Sequence, residues 1–359
     1  MATSPLVQDP SYRKLNLAHN GIYFRKMNEK LPTHVQSVVD EMFKGRQSPE
    51  PEVEAIKKDT DLNDLIYING NEVKVTQYLR SHIFERPQAA PERLQGLDVI
   101  EQIFPLRQEH IPAILDNDPE IDLRVSQPKP DILYGYMEEA FTSTQQKQLL
   151  TMKRTQYTAS NEGIIYPFLV VELKGSNPTA NSLFVAENQC IGGAATCVNM
   201  VDKLNQCING QAISAVDPIV FGVTTNGREA CLFVSWKEND KGGGGGEAYY
   251  MQQIEALIVY KPNDYLVFRR FVRNVLEWGK EHRRAQIGAV LDALREESQR
   301  KRAATIALRE ESQRKRAATL AQEPTLRRSN RARSQSKKVS DAATLAQEPT
   351  LRRSKRAKR

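Results

Sequence analysis

Residues 166–175 read YPFLVVELKG. An unbroken apolar run entered through a proline describes a strand buried on both faces. Its end carries Glu172 and Lys174, two opposite charges two positions apart. Side chains alternate along a strand, so both project from one face, with Leu173 on the other. An ion pair at an exposed strand end is the plain explanation. A chemical site is the sharper one, and the surrounding sequence favours it.

Upstream, KPDILYGY (129–136) reads as a second strand, entered through Pro130 with Asp131 just inside it. Downstream, Ser182 caps a helix over SLFVAENQCIGGAATCVNMVDKLNQCI (182–208),. The Gly192-Gly193 pair is costly inside a helix and implies close packing on a sheet. PIVFGVTTNG (218–227) and EACLFVSWKEN (229–239) are strands joined at Asn226-Gly227, a strong hairpin signal,. AYYMQQIEALIVY (248–260) is a further strand, and NDYLVFRRFVRNVLEWGKEHRR (263–284) a helix. The glycine run at 242–246 is a loop without the Gly-Lys-Ser/Thr ending of a phosphate-binding loop,.

Before this core, residues 33–115 read as mostly helical. The clearer segments are THVQSVVDEMFKG (33–45), PEPEVEAIKKDTDLNDLI (49–66) and KVTQYLRSHIFERP (74–87). EIDLRV (120–125) is a short strand candidate, and 138–153 a helix or long connection. Glu72-Val73-Lys74 repeats the Glu-x-Lys spacing in a stretch that could form a hairpin. It lacks both the long apolar strand and the Pro-Asp before it. The order of elements gives a mixed α/β sheet flanked by helices.

Should the 129–136 and 166–175 strands pair, Asp131 and Glu172 converge with Lys174 beside them. Two carboxylates suit a hard divalent cation such as Mg²⁺ or Mn²⁺. Such an ion activates water and neutralises phosphoryl oxygens, and a lysine stabilises the charge that develops. With these residues the chain resembles the PD-(D/E)XK nuclease-like superfamily, through Pro130-Asp131 and Glu172-Leu173-Lys174. FLVVELKG followed by AENQCIGGAATCVN looks particularly like uncharacterised fungal proteins assigned there. The resemblance covers roughly residues 90–285. It implies a restriction-endonuclease-like core and metal-dependent phosphodiester hydrolysis, with Asp131 and Glu172 as metal ligands and Lys174 assisting. It also implies a helix glutamine, for which Gln189 stands at a plausible position, although Gly193 replaces the tyrosine that follows it in some branches. The superfamily's first-helix glutamate has no clear counterpart; Glu101 is a guess.

Charge divides the chain differently. Residues 293–359 hold 20 Lys+Arg and 7 Asp+Glu, a net of +13, whereas the whole chain is +7, so residues 1–292 carry −6. The same tail contains no Phe, Trp or Tyr and has little with which to build a core,. ALREESQRKRAAT recurs at 293–305 and 307–319, and AATLAQEPTLRRS at 317–329 and 342–354. The expected organisation is a helical region at 1–89, the nuclease-like domain at 90–285, a solvated helix at 286–322 and a disordered basic tail at 323–359. QRKR (299–302, 313–316) and RRSKRAKR (352–359) resemble nuclear-import signals and also attract phosphates,.

Four cysteines without close pairing argue against zinc and disulfides, and no apolar run is long enough for a membrane span,. The expectation is a soluble nuclear protein that hydrolyses DNA or RNA and meets the import machinery through its tail. The rival is a catalytically inactive module of the same fold that binds nucleic acid or protein. The body's net negative charge favours that rival.

Overall fold

In a computed structural model, residues 5–46, 50–67, 71–84, 97–100, 104–112, 123–175, 182–208, 214–239 and 247–344 are described. Seven strands form one mixed sheet: β1 (Ile22–Arg25), β2 (Leu97–Ile100), β3 (Ile132–Tyr136), β4 (Ile165–Leu173), β5 (Val220–Thr225), β6 (Glu229–Asn239) and β7 (Glu247–Ile258). Their spatial order is β1-β7-β6-β5-β4-β3-β2. The β1–β7 and β4–β5 pairs are parallel and the others antiparallel.

The helices are α1 (Thr33–Met42), α2 (Val53–Lys57), α3 (Thr60–Tyr67), α4 (Glu72–His82), α5 (Ser143–Leu149), α6 (Arg154–Tyr157), α7 (Ser182–Gln206), α8 (Pro262–Trp278) and α9 (Arg284–Thr344). A π-helical segment, Gly279–Arg283, joins α8 to α9. Among the described residues no helix is long and apolar enough to cross a membrane. Cys190, Cys197, Cys207 and Cys231 are free thiols.

Every residue of β4 is buried, as an apolar central strand requires,. The crossover helix α7 lies on one face of the sheet. Cys190 Sγ stands 4.0 Å from the Val170 carbonyl. A Cβ on Gly193 would lie 3.1 Å from Val170 Cγ1 and 3.5 Å from Pro130 Cγ. The glycine is therefore the contact that lets α7 settle on the strand. Phe221, next in β5 to the residue paired with Val170, points the other way and meets Phe271 and Trp278 edge-on. Helix α8 thus covers the opposite face.

The central strands, α7 and α8 fall where the sequence placed them. The N-terminal third differs. The described residues of 1–89 are mostly helical, with α1 to α4, yet Met1–Arg295 form one compact unit and β1 extends the sheet beside β7. Arg13 ties the same segment to α7 through Asn188 Oδ1 and Glu187 Oε2, each at 2.6 Å. Strand β2 lies inside the stretch expected to be mostly helical, and 49–66 divides into α2 and α3 around the turn at Lys58-Asp59.

Of the strand candidate at 120–125, residues 120–122 lie outside the described residues and Leu123–Val125 is not a strand. The carbonyls of Leu123 and Arg124 accept from the side-chain amides of Asn20 and Asn16, and the Ser126 N–H donates to Tyr12 Oη. Side chains have taken the groups that a ladder would use.

The helix expected to be solvated from 286 is buried at Ile287, Val290 and Leu291. The second unit, Glu296–Arg359, consists of the remainder of α9 and the residues beyond it. Helix α9 continues through Pro324 to Thr344, past the point where disorder was expected. The sequence there is rich in Ala, Leu, Arg, Lys and Gln, all good helix formers, against a single proline,. The import-like run at 352–359 lies outside the described residues.

Candidate carboxylate site at the end of the central strand

Strand register brings the predicted residues together. Ile132 pairs with Val171 across the antiparallel β3–β4 ladder, and the Asp131 N–H donates to the Val171 carbonyl at 3.1 Å. One step further along that register sets Asp131 opposite Glu172, and directly opposed residues share a face. On the other side Glu172 pairs with Thr224 of β5. Asp131, Glu172 and Thr224 therefore form a polar row across three strands, on the face that carries Val170 and α7.

Asp131 is buried, and its Oδ2 accepts the Leu173 N–H at 2.6 Å. This bond closes the backbone where the β3–β4 ladder ends. Glu172 is 0% exposed, and neither carboxylate oxygen has a hydrogen-bond partner. Thr224 Oγ1 is likewise buried without one. Leaving a polar group in that state ordinarily costs about 1–3 kcal/mol, more if it is charged.

Burial drives the Glu172 carboxyl well above the usual carboxylate range. The Asp131 charge pushes the same way, Lys174 opposes it, and Glu72 adds a further push upward. Burial, with the Glu172 charge next, also raises the Cys190 thiol, so that cysteine is a packing residue rather than a nucleophile,.

Lys174 is half-buried, and its N–H donates to the Thr225 carbonyl at 2.9 Å, which holds the chain beyond the strand end in register with β5. Gln189 lies on α7 one turn before Gly193, and Glu172 lies two residues after Val170. A helical turn and two strand residues advance the chain by similar distances, about 5–7 Å. Since α7 returns between parallel strands, it runs against them, and the closeness of Gly193 to Val170 puts Gln189 level with Glu172 along the strand. Gln189 is half-buried, and its Oε1 is a further buried oxygen without a partner.

Glu101, the guessed first-helix glutamate, lies outside the described residues. Glu72, of the second Glu-x-Lys stretch, is an acidic residue besides Asp131 whose charge reaches Glu172. It opens α4, not a hairpin. Asn71 caps that helix by accepting the Lys74 N–H at 3.0 Å, and α4 packs against β4. The sequence signal for this helix start is Asn71 followed by Glu72, an N-cap and an acidic first turn,.

Among the described residues no group of three or more His, Cys, Asp and Glu side chains is arranged to hold a metal ion. The candidate ligands are therefore the pair Asp131 and Glu172. That pair fits Mg²⁺ or Mn²⁺: both are hard cations, and Mg²⁺ usually keeps several waters and takes one or two carboxylates. The partnerless oxygens of Glu172 are what a cation at this place would satisfy.

A family model described as a domain of unknown function (DUF7924) matches residues 67–291, more than half of the chain. No curated protein matches the sequence.

Proposed function

Since the chain belongs to the DUF7924 family, the reading rests on the site, and we propose that it is a metal-dependent hydrolase of nucleic-acid phosphodiesters. The observation that carries this proposal is the buried, partnerless carboxylate of Glu172 set opposite Asp131, with Lys174 just past the end of the same strand. The restriction-endonuclease-like core implied by the sequence resemblance is part of the same proposal, supported by the mixed sheet and the crossover helix.

Asp131 and Glu172 would hold Mg²⁺ or Mn²⁺, which when bound lowers the pKa of water and neutralises phosphoryl oxygens. Lys174 supplies positive charge to the developing phosphorane-like oxygens. Gln189 would orient substrate or water through its amide. Glu72 acts on Glu172 through its charge, raising the affinity of the pair for a cation.

The test is cleavage of single- and double-stranded DNA and RNA by the full chain with Mg²⁺ or Mn²⁺. Glu172→Gln, Asp131→Asn and Lys174→Met are each expected to lower the rate by about 100-fold or more, the scale of losing one transition-state stabilising group. Equal rates in all four proteins would overturn the assignment.

One observation favours a second reading. Glu172 is fully buried beneath α7, which suits a module of this fold that binds without turnover. Cation binding with no cleavage of any of the four substrates would favour that reading.

We also propose a nuclear location, with import through the basic runs of the tail. Deleting residues 296–359 is expected to move a tagged protein out of the nucleus, as seen by fluorescence microscopy. Unchanged nuclear accumulation would contradict it.

A further inference from the structure

Within residues 296–318 the charges of α9 are sorted by face. Glu296 pairs with Arg300 and Glu297 with Lys301, at 3.3 and 2.6 Å. In the second copy of the repeat Glu311 pairs with Lys315 at 2.6 Å. All three pairs run from a glutamate to a base four residues later, the favourable orientation on a helix. They engage three of the four glutamates of the two repeats, Glu310 being the other.

Arg302, Arg309, Arg314 and Arg316 take no part in these pairs; Arg314 lies on the side of the pairs, and the other side carries Arg302, Arg309 and Arg316,. All three are exposed, and none has a carboxylate partner among the described residues. They are spaced by seven residues, which advances the helix by about 10 Å and turns it by only about 20° per step. They form one nearly straight stripe about 20 Å long. By the same rotation the glutamates of both repeats fall off that stripe, which is otherwise flanked by Gln299, Gln313, Ser298, Thr305 and Ile306.

We propose that Arg302, Arg309 and Arg316 dock the phosphate backbone of a nucleic-acid duplex. Arginine presents a planar fork that matches phosphate bidentately. A straight array of evenly spaced cations matches a straight polyanion, and a duplex offers a negative charge about every 1.7 Å along its axis. The segment has no aromatic residue to stack on bases, so the contact is to backbone and carries no sequence preference. The ion pairs stiffen the helix and so keep the stripe straight.

The proposal shares with the hydrolase reading only the assumption that nucleic acid is the partner. Its test is run in EDTA, so that failure of the carboxylate site leaves it standing. The full chain is titrated onto a fluorescein-labelled DNA duplex several turns long, and anisotropy is followed across a range of salt. R302Q/R309Q/R316Q is compared with R300Q/K301Q/K315Q, which removes the same charge from the paired side.

The stripe variant is expected to flatten the slope of log K against log salt by about 2.7, or about 0.9 for each lost phosphate contact. The paired-side variant should flatten it by less than about 1. R302K/R309K/R316K should keep the slope. Inserting two alanines after Ala304 retains every charge but turns Arg309 and Arg316 by about 200° away from Arg302, and should flatten the slope as well. Equal slopes in the two neutralised variants, an unchanged slope after the insertion, or binding to polyglutamate but not to the duplex would overturn the proposal.

Discussion

Glu172→Gln is expected to make the cation-free protein more stable above neutral pH while leaving it nearly unchanged in acid. In the unfolded chain the carboxyl titrates near its ordinary value of 4.5; in the folded chain burial, Asp131 and Glu72 hold it well above that. Between those two values the folded state keeps a proton that the unfolded state has released. Stability therefore falls as pH rises from about 4.5 to the raised value, then levels off. Glutamine has the same shape and no charge, so this fall disappears. Each kcal/mol recovered should raise the melting temperature by about 1.5–2 °C for a unit of this size. The measurement is the melting temperature of both proteins in EDTA across pH 4 to 9. Parallel curves would mean that Glu172 is not the strained, partnerless acid described.

Gly279→Ala should abolish folding at physiological temperature. A Cβ at that position would fall 2.2 Å from Phe168 Cζ, 2.3 Å from Cε2 and 2.8 Å from Cε1. Phe168 is fully buried between Tyr136 and Trp278 and has no room to retreat. The Gly279 carbonyl also accepts the Tyr136 hydroxyl at 2.6 Å, so the backbone is held as well. Overpacking of this kind costs about 1–3 kcal/mol where neighbours can shift, and more where they cannot. Phe168→Leu in the same chain should restore part of the loss by removing ring atoms in the clash. Gly288→Ala is the contrasting change: its nearest neighbour is the end of the Gln145 side chain, which can give way at the cost of its hydrogen bonds to Asp292 and Thr142. Soluble expression and melting temperature would distinguish them, and a Gly279→Ala protein as stable as the parent would contradict the packing described.

These two residues also show what the sequence made legible. Glu172 could be singled out because a strand buried on both faces has no ordinary use for a carboxylate, and because alternation fixes its face. Asp131 followed from the proline that starts its strand. Their pairing was a matter of register, which the hydrophobic pattern constrains once both strands are central. The Gly192-Gly193 pair announced close packing, and Val170 and Pro130 are what it packs against.

The misses have a common physical origin. Strands β1 and β2 are four residues each, too short for a period-two pattern to stand out from the helical signals around them. Leu123–Val125 has strand-like composition, but its carbonyls are taken by Asn16 and Asn20, more than a hundred residues away. Glu72 lacks a long apolar strand and a Pro-Asp before it, the features that single out Glu172, and its informative feature is its place at the head of a capped helix. Gly279 gave no local hint, since its need for a bare Cα comes from a ring in β4 and not from a turn.

The central claim is that Asp131 and Glu172 form a cation site, and a Mn²⁺ titration of the full chain followed by melting temperature tests it most directly. Binding to the folded state alone should raise the melting temperature with concentration by mass action. Because the carboxyl of Glu172 must lose its proton to become a ligand, the rise should begin at lower Mn²⁺ concentration as the pH increases. It should be absent in Glu172→Gln and Asp131→Asn, with both variants folded. No shift in the parent protein up to millimolar Mn²⁺, or the same shift in all three proteins, would contradict the site and any hydrolysis that depends on it.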